Sequence, residues 1–468
     1  MIEGLKPYPA YKDSGVEWLG KVPAHWEVRR LKRICRLAYG DALATNVRQD
    51  GPVPVYGSNG RVGTHSIANT KAPCIVIGRK GSFGKVNLSC EPVFAIDTTF
   101  FVDSRFTTEE IHWLYYLLEW LRLDELSKDS AVPGLDREDA YKRIAAVPPL
   151  PEQTAIVRFL DWAERRILRV IRARQRQIKL LEEYKQALIH QAVTGKIDIR
   201  TGQPYPAYKP SGVEWLCEVP AHWEILPLKW LAKCYRNGAT PPTTKNFYYM
   251  GGTIPWYSPS SFDSGEIVSA PIRFVSNAAI EDGVARLIHG PALLVIVIGA
   301  TAGRMTLMEQ DGTTNQQITA FELPYDWKTC VFLLRQLRFS ESWLRENAST
   351  ATIPILNTNI VTHLPCLLPP PKERCAIVEY LDAQTAKIDA VIAAARREIE
   401  LLREYRERLI ADVVTGKVDV REIAARLPEE PLEEGAELAA LDEAETLAGG
   451  GEDEENLGLG AVEEEVEA

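Results

Sequence analysis

The residues best suited to chemistry cluster around glycines. Val76-Ile77-Gly78-Arg79-Lys80-Gly81-Ser82-Phe83-Gly84, followed by Lys85, runs a short apolar stretch into a turn carrying two cations and a hydroxyl. Such a turn invites comparison with a phosphate-binding loop, but the pattern GxxxxGK[ST] is not met. Counted from Gly78, Phe83 stands where the second glycine belongs, and Gly84-Lys85 is followed by Val86 where Ser or Thr is required. No G-x-G-x-x-G follows a strand-like run, no Asn/Asp-Pro-Pro-Tyr tetrad of an amino-methyltransferase occurs, and the seven histidines include no i, i+4 pair. The sequence therefore shows no catalytic or metal-ligating constellation, and no cofactor site is expected in this chain.

What remains is chemistry for recognition. Arg79, Lys80, Ser82 and Lys85 answer, in the second half of the chain, to Val297-Ile298-Gly299-Ala300-Thr301-Ala302-Gly303-Arg304, followed by Asn315, Gln316 and Gln317. Two further loops mix aromatic, hydroxyl and amide groups: Tyr56, Ser58 and Asn59 in one half, Trp256, Ser258 and Ser260 in the other. Arg and Lys bond guanine edges or phosphates, Asn and Gln bond adenine edges, and glycine lets a backbone approach a duplex closely. A solvated hairpin turn is the plainer reading of any one such loop; the correspondence between halves favours DNA contact. Trp18, Trp26, Trp215 and Trp223 could offer a stacking platform, but their near-invariant surroundings favour packing, as they do for His25 and His222.

The elements that must position these loops are themselves repeated. VPPLPEQTAIVRFLD at Val147 to Asp161 leads into a segment without proline or glycine that closes with HQAVTGKIDIR; LPPPKERCAIVEYLD at Leu368 to Asp382 closes with ADVVTGKVDVR, and a shift of 221 superposes the two. Prolines are tolerated ahead of a helix and in its first turn, and Thr194-Gly195 mark a stop. Ile167, Ile171, Ile178, Leu181 and Leu188 recur at the spacing of a lengthwise helix seam, as do Ile388, Ile392, Ile399, Leu402 and Leu409. The helices predicted over Ala155 to Val193 and Ala376 to Val414 would be roughly 57 Å long at about 1.5 Å per residue. They are expected to lie antiparallel as a rigid spacer.

A second repeat matches Pro7–Glu27 to Pro204–Glu224 at 18 of 21 positions with a shift of 197. In mid-chain this motif follows the exit of the first helix, whereas its other copy opens the chain. If the end of the second helix packs beside residues 7–27, the halves become equivalent and the plan is circular and pseudo-twofold. The expected class is α+β: two recognition domains joined by two long antiparallel coiled-coil helices. The divisions are an N-terminal repeat segment (1–27), region one (28–147), the first helix (148–200), the second repeat segment (201–224), region two (225–368), the second helix (369–420) and an acidic tail (421–468) expected to be disordered. Region one carries strand-like runs at Cys74–Ile77 and Val93–Ile96, then a helix from Thr107 with Thr107 and Glu110 as a capping box. Region two carries a strand at Leu293–Ile298 and a helix over Lys328–Leu344.

Charge and cysteines bound the rest. The formal charge is −10, but from Arg421 onward 17 acids stand against 2 arginines, so the first 420 residues carry +5. The body is mildly basic and the tail acidic. Eight scattered cysteines without CxxC indicate neither a zinc site nor a disulfide framework. With no apolar signal core and no apolar run long enough to span a bilayer, the expectation is a cytoplasmic protein without membrane association.

Taken together, PEQ at Pro151–Gln153, the LLEEYK and LLREYR helices with their VTGK exits, the VPAHWE borders and the IGRKGSFG turn resemble the DNA-specificity subunit of type I restriction-modification systems, over nearly everything up to Arg421. The resemblance implies two target-recognition domains, each reading half of a bipartite site in double-stranded DNA. It implies two modification subunits as partners, transferring methyl groups from S-adenosylmethionine, and two restriction subunits using ATP and Mg2+. A stand-alone nuclease or methyltransferase and a purely structural coiled-coil scaffold are the competing readings. Region two departs from the lysine-bearing turn, having Ala300, Thr301 and Ala302 where Arg79, Lys80 and Gly81 stand; the acidic tail falls outside the family core.

Overall fold

A computed structural model describes residues 5–126, 134–213, 216–263, 265–349 and 353–428. Two helices of 44 residues, Leu150–Val193 and Pro371–Val414, are the longest elements among the described residues. Both begin earlier than their apolar periodicity predicts, because Pro149 and Pro370 carbonyls accept the first amide hydrogen bonds, from Glu152 at 2.8 Å and Glu373 at 2.9 Å. Pro151 and Pro371 sit in first turns, where a missing N–H costs nothing. Both helices end on a glycine with positive φ, Gly195 at +71° and Gly416 at +75°. A Cβ at Gly195 would lie 2.4 Å from Pro220, and one at Gly416 2.4 Å from Pro23, so each exit needs glycine for conformation and for room.

The chain divides into two compact units. Unit one comprises residues 1–175 and 396–468, and unit two residues 176–395. Each unit thus holds the head of one long helix and the foot of the other. In unit one these run antiparallel, with Arg406 on Glu164 (Nε to Oε1, 2.5 Å) and Arg174 on Glu398 (2.9 Å) flanking buried Ile167, Ile171, Ile399 and Leu409. In unit two, Lys185 meets Asp389 at 2.7 Å beside buried Ile388 and Ile392.

Each recognition region has the same sheet plan. In unit one a four-stranded sheet runs in the order Ala38–Tyr39, Thr99–Asp103, Cys74–Gly78, Val86–Ser89, and a three-stranded one in the order Gly60–His65, Val53–Gly57, Phe94–Ala95. In unit two the orders are Cys234–Asn237, Ile318–Glu322, Ala292–Ile296, Met305–Met308, and Arg273–Val275, Ile254–Tyr257, Thr313–Thr314. A parallel pairing recurs as well, Val53–Gly57 with Phe94–Ala95 and Ile254–Tyr257 with Thr313–Thr314. Fully buried strands such as Cys74–Gly78 and Ala292–Ile296 read as continuous apolar runs because both faces are covered.

Two shorter helices also differ from expectation, one in its start and one in its continuity. The helix predicted from Thr107 begins at Ile111 with Glu110 as N-cap, accepting from Trp113 N; Thr107 instead donates to the Ile34 carbonyl, so no capping box forms. The helix predicted over Lys328–Leu344 is two, Trp327–Leu337 and Glu341–Glu346, joined by a tighter turn at Arg338–Ser340.

The repeated border segments anchor both units through one buried glutamate each. Glu152 of the PEQ lead-in receives Tyr8 Oη (2.5 Å), Trp26 Nε1 (3.1 Å) and His25 Nε2 (2.8 Å). Glu373 receives Tyr205 (2.6 Å), Trp223 (3.2 Å) and His222 (2.9 Å). Burial works to raise the Glu373 carboxyl, but these three hydrogen bonds outweigh it and hold it below the usual range. Trp26 and Trp223 are fully buried, Trp18 is half-exposed with its ring 5.5 Å from that of Trp120, and Trp215 lies outside the described residues.

Within unit one the N-terminal segment closes on the exit of the second long helix. Asp419 N donates to Lys6 O at 2.8 Å, forming an antiparallel bridge, and Tyr11 Oη donates to Lys417 O at 3.2 Å. In unit two the same contacts are local: Asp198 N to Gln203 O at 2.8 Å and Tyr208 Oη to Lys196 O at 3.3 Å. Arg421–Arg426 is a helix, so the acidic tail does not start as unstructured chain; residues 429–468, where the rest of that expectation falls, lie outside the described residues.

Candidate nucleic-acid interface

In unit one three loops are stitched together at a single carbonyl. Thr98 O accepts Arg79 N (2.8 Å), Lys80 N (3.3 Å) and Ser58 Oγ (2.8 Å), tying the turn at 78–85 to the loops at 57–60 and 96–98. The turn closes on itself through Gly78 N to Lys85 O (2.9 Å) and Gly84 N to Gly78 O (2.8 Å). A Cβ on Gly78 would sit 2.2 Å from Ser82 O, and one on Gly84 2.1 Å from Asp124 N, so the loop packs too closely for any other residue. Asn59, Lys80, Ser82 and Lys85 are exposed, and Lys85 Nζ donates to both Asn59 O (2.9 Å) and Asn59 Oδ1 (3.1 Å). Arg79 lies half-buried, its guanidinium 5.2 Å from the Tyr39 ring and 5.9 Å from that of Phe100. Arg137 shares the Tyr39 ring at 4.9 Å. Stacking holds the Arg79 fork in one orientation, as bidentate recognition of a base edge requires.

The equivalent loops of unit two offer different groups. The turn between Ala292–Ile296 and Met305–Met308 has Gly299 and Gly303 at φ +115° and +97°, with Thr301 and Arg304 half-exposed. Val297 N donates to Gln317 O at 2.8 Å, the counterpart of the Thr98 stitch. Asn315 Nδ2 donates to Gln317 Oε1 at 2.7 Å and Thr240 Oγ1 donates to Gln316 Oε1 at 2.6 Å, which orients both glutamine amides. The Ser258 and Ser260 hydroxyls meet at 2.8 Å, just after Tyr257, whose carbonyl accepts Asn315 N at 3.0 Å.

Three expected contact residues are corrected by this geometry. Tyr56 is 5% exposed in a core with Val76 and Phe101; Trp256 is 6% exposed and donates Nε1 to Ala239 O at 3.2 Å. Asn315 is 7% exposed, and its side chain holds Gln317 rather than facing outward. Both aromatics lie in strands, Tyr56 in Val53–Gly57, buried from Pro54 to Gly57, and Trp256 in Ile254–Tyr257, which loop composition alone does not reveal. Conversely, Asp97 and Thr98 hold the position before Thr99–Asp103 that Gln316 and Gln317 hold before Ile318–Glu322. Aligning the two regions on those strands would have found them. Among the described residues no group of three or more His, Cys, Asp and Glu side chains is placed to hold a metal, and no helix is long and apolar enough to cross a membrane.

A family model described as the type I restriction modification DNA specificity domain matches residues 23–180 and 220–401, more than half of the chain. The chain belongs to this family. It is similar to the EcoDI specificity subunit of Escherichia coli, 21% identical over 423 residues covering 85% of this chain and 90% of the relative. It is also similar to the MjaVIII specificity subunit of Methanocaldococcus jannaschii, 21% identical over 337 residues covering 66% and 71%. A solved chain from work on complex assembly and conformational transition of the type I R-M system shares the fold, with a TM-score of 0.62 at 15% identity over 84% of this chain and 98% of that one.

Proposed function

We propose that this chain is the sequence-reading subunit of a type I restriction-modification assembly: each recognition region contacts one half of a bipartite DNA target, and the chemistry is done by other subunits. The observation that carries this reading is the pair of recognition regions, alike in sheet plan but different in the polar groups of their equivalent loops, in a chain of the DNA-specificity family. Unit one offers Arg79, Lys80 and Lys85, suited to guanine edges or phosphate; unit two offers Gln316, Gln317, Thr301 and Arg304, suited in part to adenine. The partners on this reading are two modification subunits that bind S-adenosylmethionine and two restriction subunits that use ATP and Mg2+, with no cofactor held by this chain. The isolated chain should neither methylate nor cut DNA. The test is to assemble it with the modification subunit and read the methylated motif genome-wide. An asymmetric two-part motif is expected; methyl transfer by the isolated chain, or absence of any sequence preference in the assembly, would overturn the proposal.

A further inference from the structure

Hydrogen bonds align the two recognition regions residue by residue, so each is a control for the other. Arg79 N donates to Thr98 O while Arg79 O accepts Leu135 N (2.9 Å); Val297 N donates to Gln317 O while Val297 O accepts Leu356 N (2.8 Å). Antiparallel bridges then pair Lys80 with Gly134 and Ile298 with Ile355. Each segment runs on into a short helix capped by its own side chain, Asp136 in region one and Asn357 in region two. Gly40 N bonds Thr99 O as Gly238 N bonds Ile318 O, which matches Tyr39 to Asn237 and Phe100 to Thr319. By the same register Arg137, the residue after its cap, answers to Thr358.

The backbones agree, but the side chains do not. In region one Phe100, Arg79, Tyr39, Arg137 and Tyr141 form a continuous chain of ring and cation contacts. The Arg79 guanidinium touches the rings of Phe100 and Tyr39, and that of Arg137 lies 4.9 Å from the Tyr39 ring and 5.9 Å from the Tyr141 ring. Tyr39 itself is half-exposed. Among the described residues neither arginine meets a carboxylate at ion-pair distance, and both Nε atoms are buried without a hydrogen-bond partner. Region two has buried Val297 in place of Arg79 and Thr358 in place of Arg137, and where Tyr39 meets Phe100 it has Asn237 accepting from Thr319 Oγ1 at 2.7 Å. The scaffold therefore stands without the cations. Two guanidinium groups on one ring, with no carboxylate to offset their repulsion, point to a partner that supplies acceptors. Contacts to phosphate fix orientation and serve both regions alike, whereas groups that differ at equivalent positions are the ones able to distinguish sequences. A stacked guanidinium keeps its fork in one plane, as a bidentate bond to guanine O6 and N7 requires. At 5.2 Å and 4.9 Å from one ring centre, the two guanidinium carbons are at most about 10 Å apart, or roughly three base pairs at about 3.4 Å each.

We infer that Arg137 is a second base-reading residue of region one, coupled to Arg79 through the Tyr39 ring, and that the half-site read there holds two guanines within about three base pairs of each other. This rests on the DNA-reading function proposed above. The test assembles the full-length wild type, Arg137→Thr and Arg137→Lys with the modification subunit and reads each methylated motif genome-wide, alongside affinity titrations at several salt concentrations. Threonine is what region two carries at this place, so the first variant should melt with the wild type. The wild-type motif should show the two guanines in one half. Arg137→Thr should lose discrimination at one of them by roughly tenfold or more and leave the other half of the motif unchanged. Arg137→Lys keeps the charge but not the fork, so it should keep the salt slope while losing most of that preference. Neither half of the wild-type motif holding two such guanines, or an unaltered motif in a folded Arg137→Thr assembly, would overturn the inference and leave the DNA-reading function standing. So would a uniform loss of affinity with a shallower salt slope and unchanged preference, which would make Arg137 a phosphate contact. A wild-type assembly with no sequence preference at all would overturn both.

Discussion

Lys80 and Arg79 are neighbours in one turn but make different offers. Lys80 is exposed, while Arg79 is clamped against two aromatic rings. Replacing Lys80 with Ala should therefore weaken DNA binding uniformly across sequences and lower the salt slope by about one, as for a phosphate contact. Replacing Arg79 with Ala should cost ~1–3 kcal/mol and relax preference at one position, as for a bidentate base contact. Affinity titrations against target and scrambled duplexes at several salt concentrations separate the two; equal salt slopes and unchanged specificity in both variants would remove the turn from the interface. At this scale the sequence was legible where residue types repeat. Trp26 and Trp223 were read as packing residues, and the glutamates they bond sit in the very lead-ins that mark the helix starts. It is illegible at Tyr56 and Trp256, because both sit in strands packed into cores formed by residues distant in sequence, which the composition of the segment does not announce.

Between elements, the two units fasten their recognition regions to the long helices with different chemistry. In unit one Tyr116 Oη lies 2.7 Å from Asp161 Oδ1 and 2.8 Å from Glu164 Oε2, Tyr115 donates to Glu119 (2.9 Å), and Arg406 faces both Glu164 and Glu119. One hydroxyl proton cannot be donated to both carboxylates at once, so the cluster is crowded with acceptors. Accordingly burial raises Asp161 and Glu119 above their ordinary values, against the pull of Arg406 on Glu119. In unit two, Asp382, the counterpart of Asp161, meets Arg335 at 2.5 Å, and Arg335 also holds Glu266 at 2.5 Å. For carboxyls raised on folding, the stabilising contribution is complete below the unfolded value near pH 4 and is lost as pH rises through the folded value. Changing Asp161 to Asn should flatten that decline in urea-midpoint measurements taken upward from about pH 4; an unaltered slope would show that the cluster does not titrate. Glu373 has the opposite sign. Its depressed value gives stability present above the unfolded value and lost as pH falls through the folded one, and Glu373→Gln should cost about 1.5–3 kcal/mol near neutral pH, the usual worth of a hydrogen bond to a charged group. Helix seams and exits are plain from periodicity and glycine, whereas the start near Thr107 is not, because Thr107 bonds the distant Ile34 carbonyl, nor is the break at Arg338–Ser340 within the helix expected over Lys328–Leu344.

For the whole molecule, two regions of one sheet plan but unlike loops predict modular specificity. Exchanging residues 28–147 for the same region of another family member should change one half of the methylated motif and leave the other half intact; a motif altered in both halves would show that the regions do not read independently. The circular logic of the chain was legible in the order of its repeats alone, because a border motif at the beginning and a helix exit near the end are complementary pieces of a joint that appears uncut in mid-chain. That joint also sets an order of assembly. Unit two closes Asp198 on Gln203 and takes its remaining partners from residues no later than 395, whereas unit one closes Lys6 on Asp419 and needs residues 396–414 to cover the seam of its own helix. On the ribosome, region one emerges first and is completed last: the apolar face at Ile167 and Ile171 must wait, uncovered, for more than two hundred further residues to be synthesised, which at roughly 5–20 residues per second is a delay of tens of seconds. Truncated products lacking the second helix should therefore aggregate more readily than the full chain, which sedimentation of the two after cell-free synthesis with and without added chaperones would check.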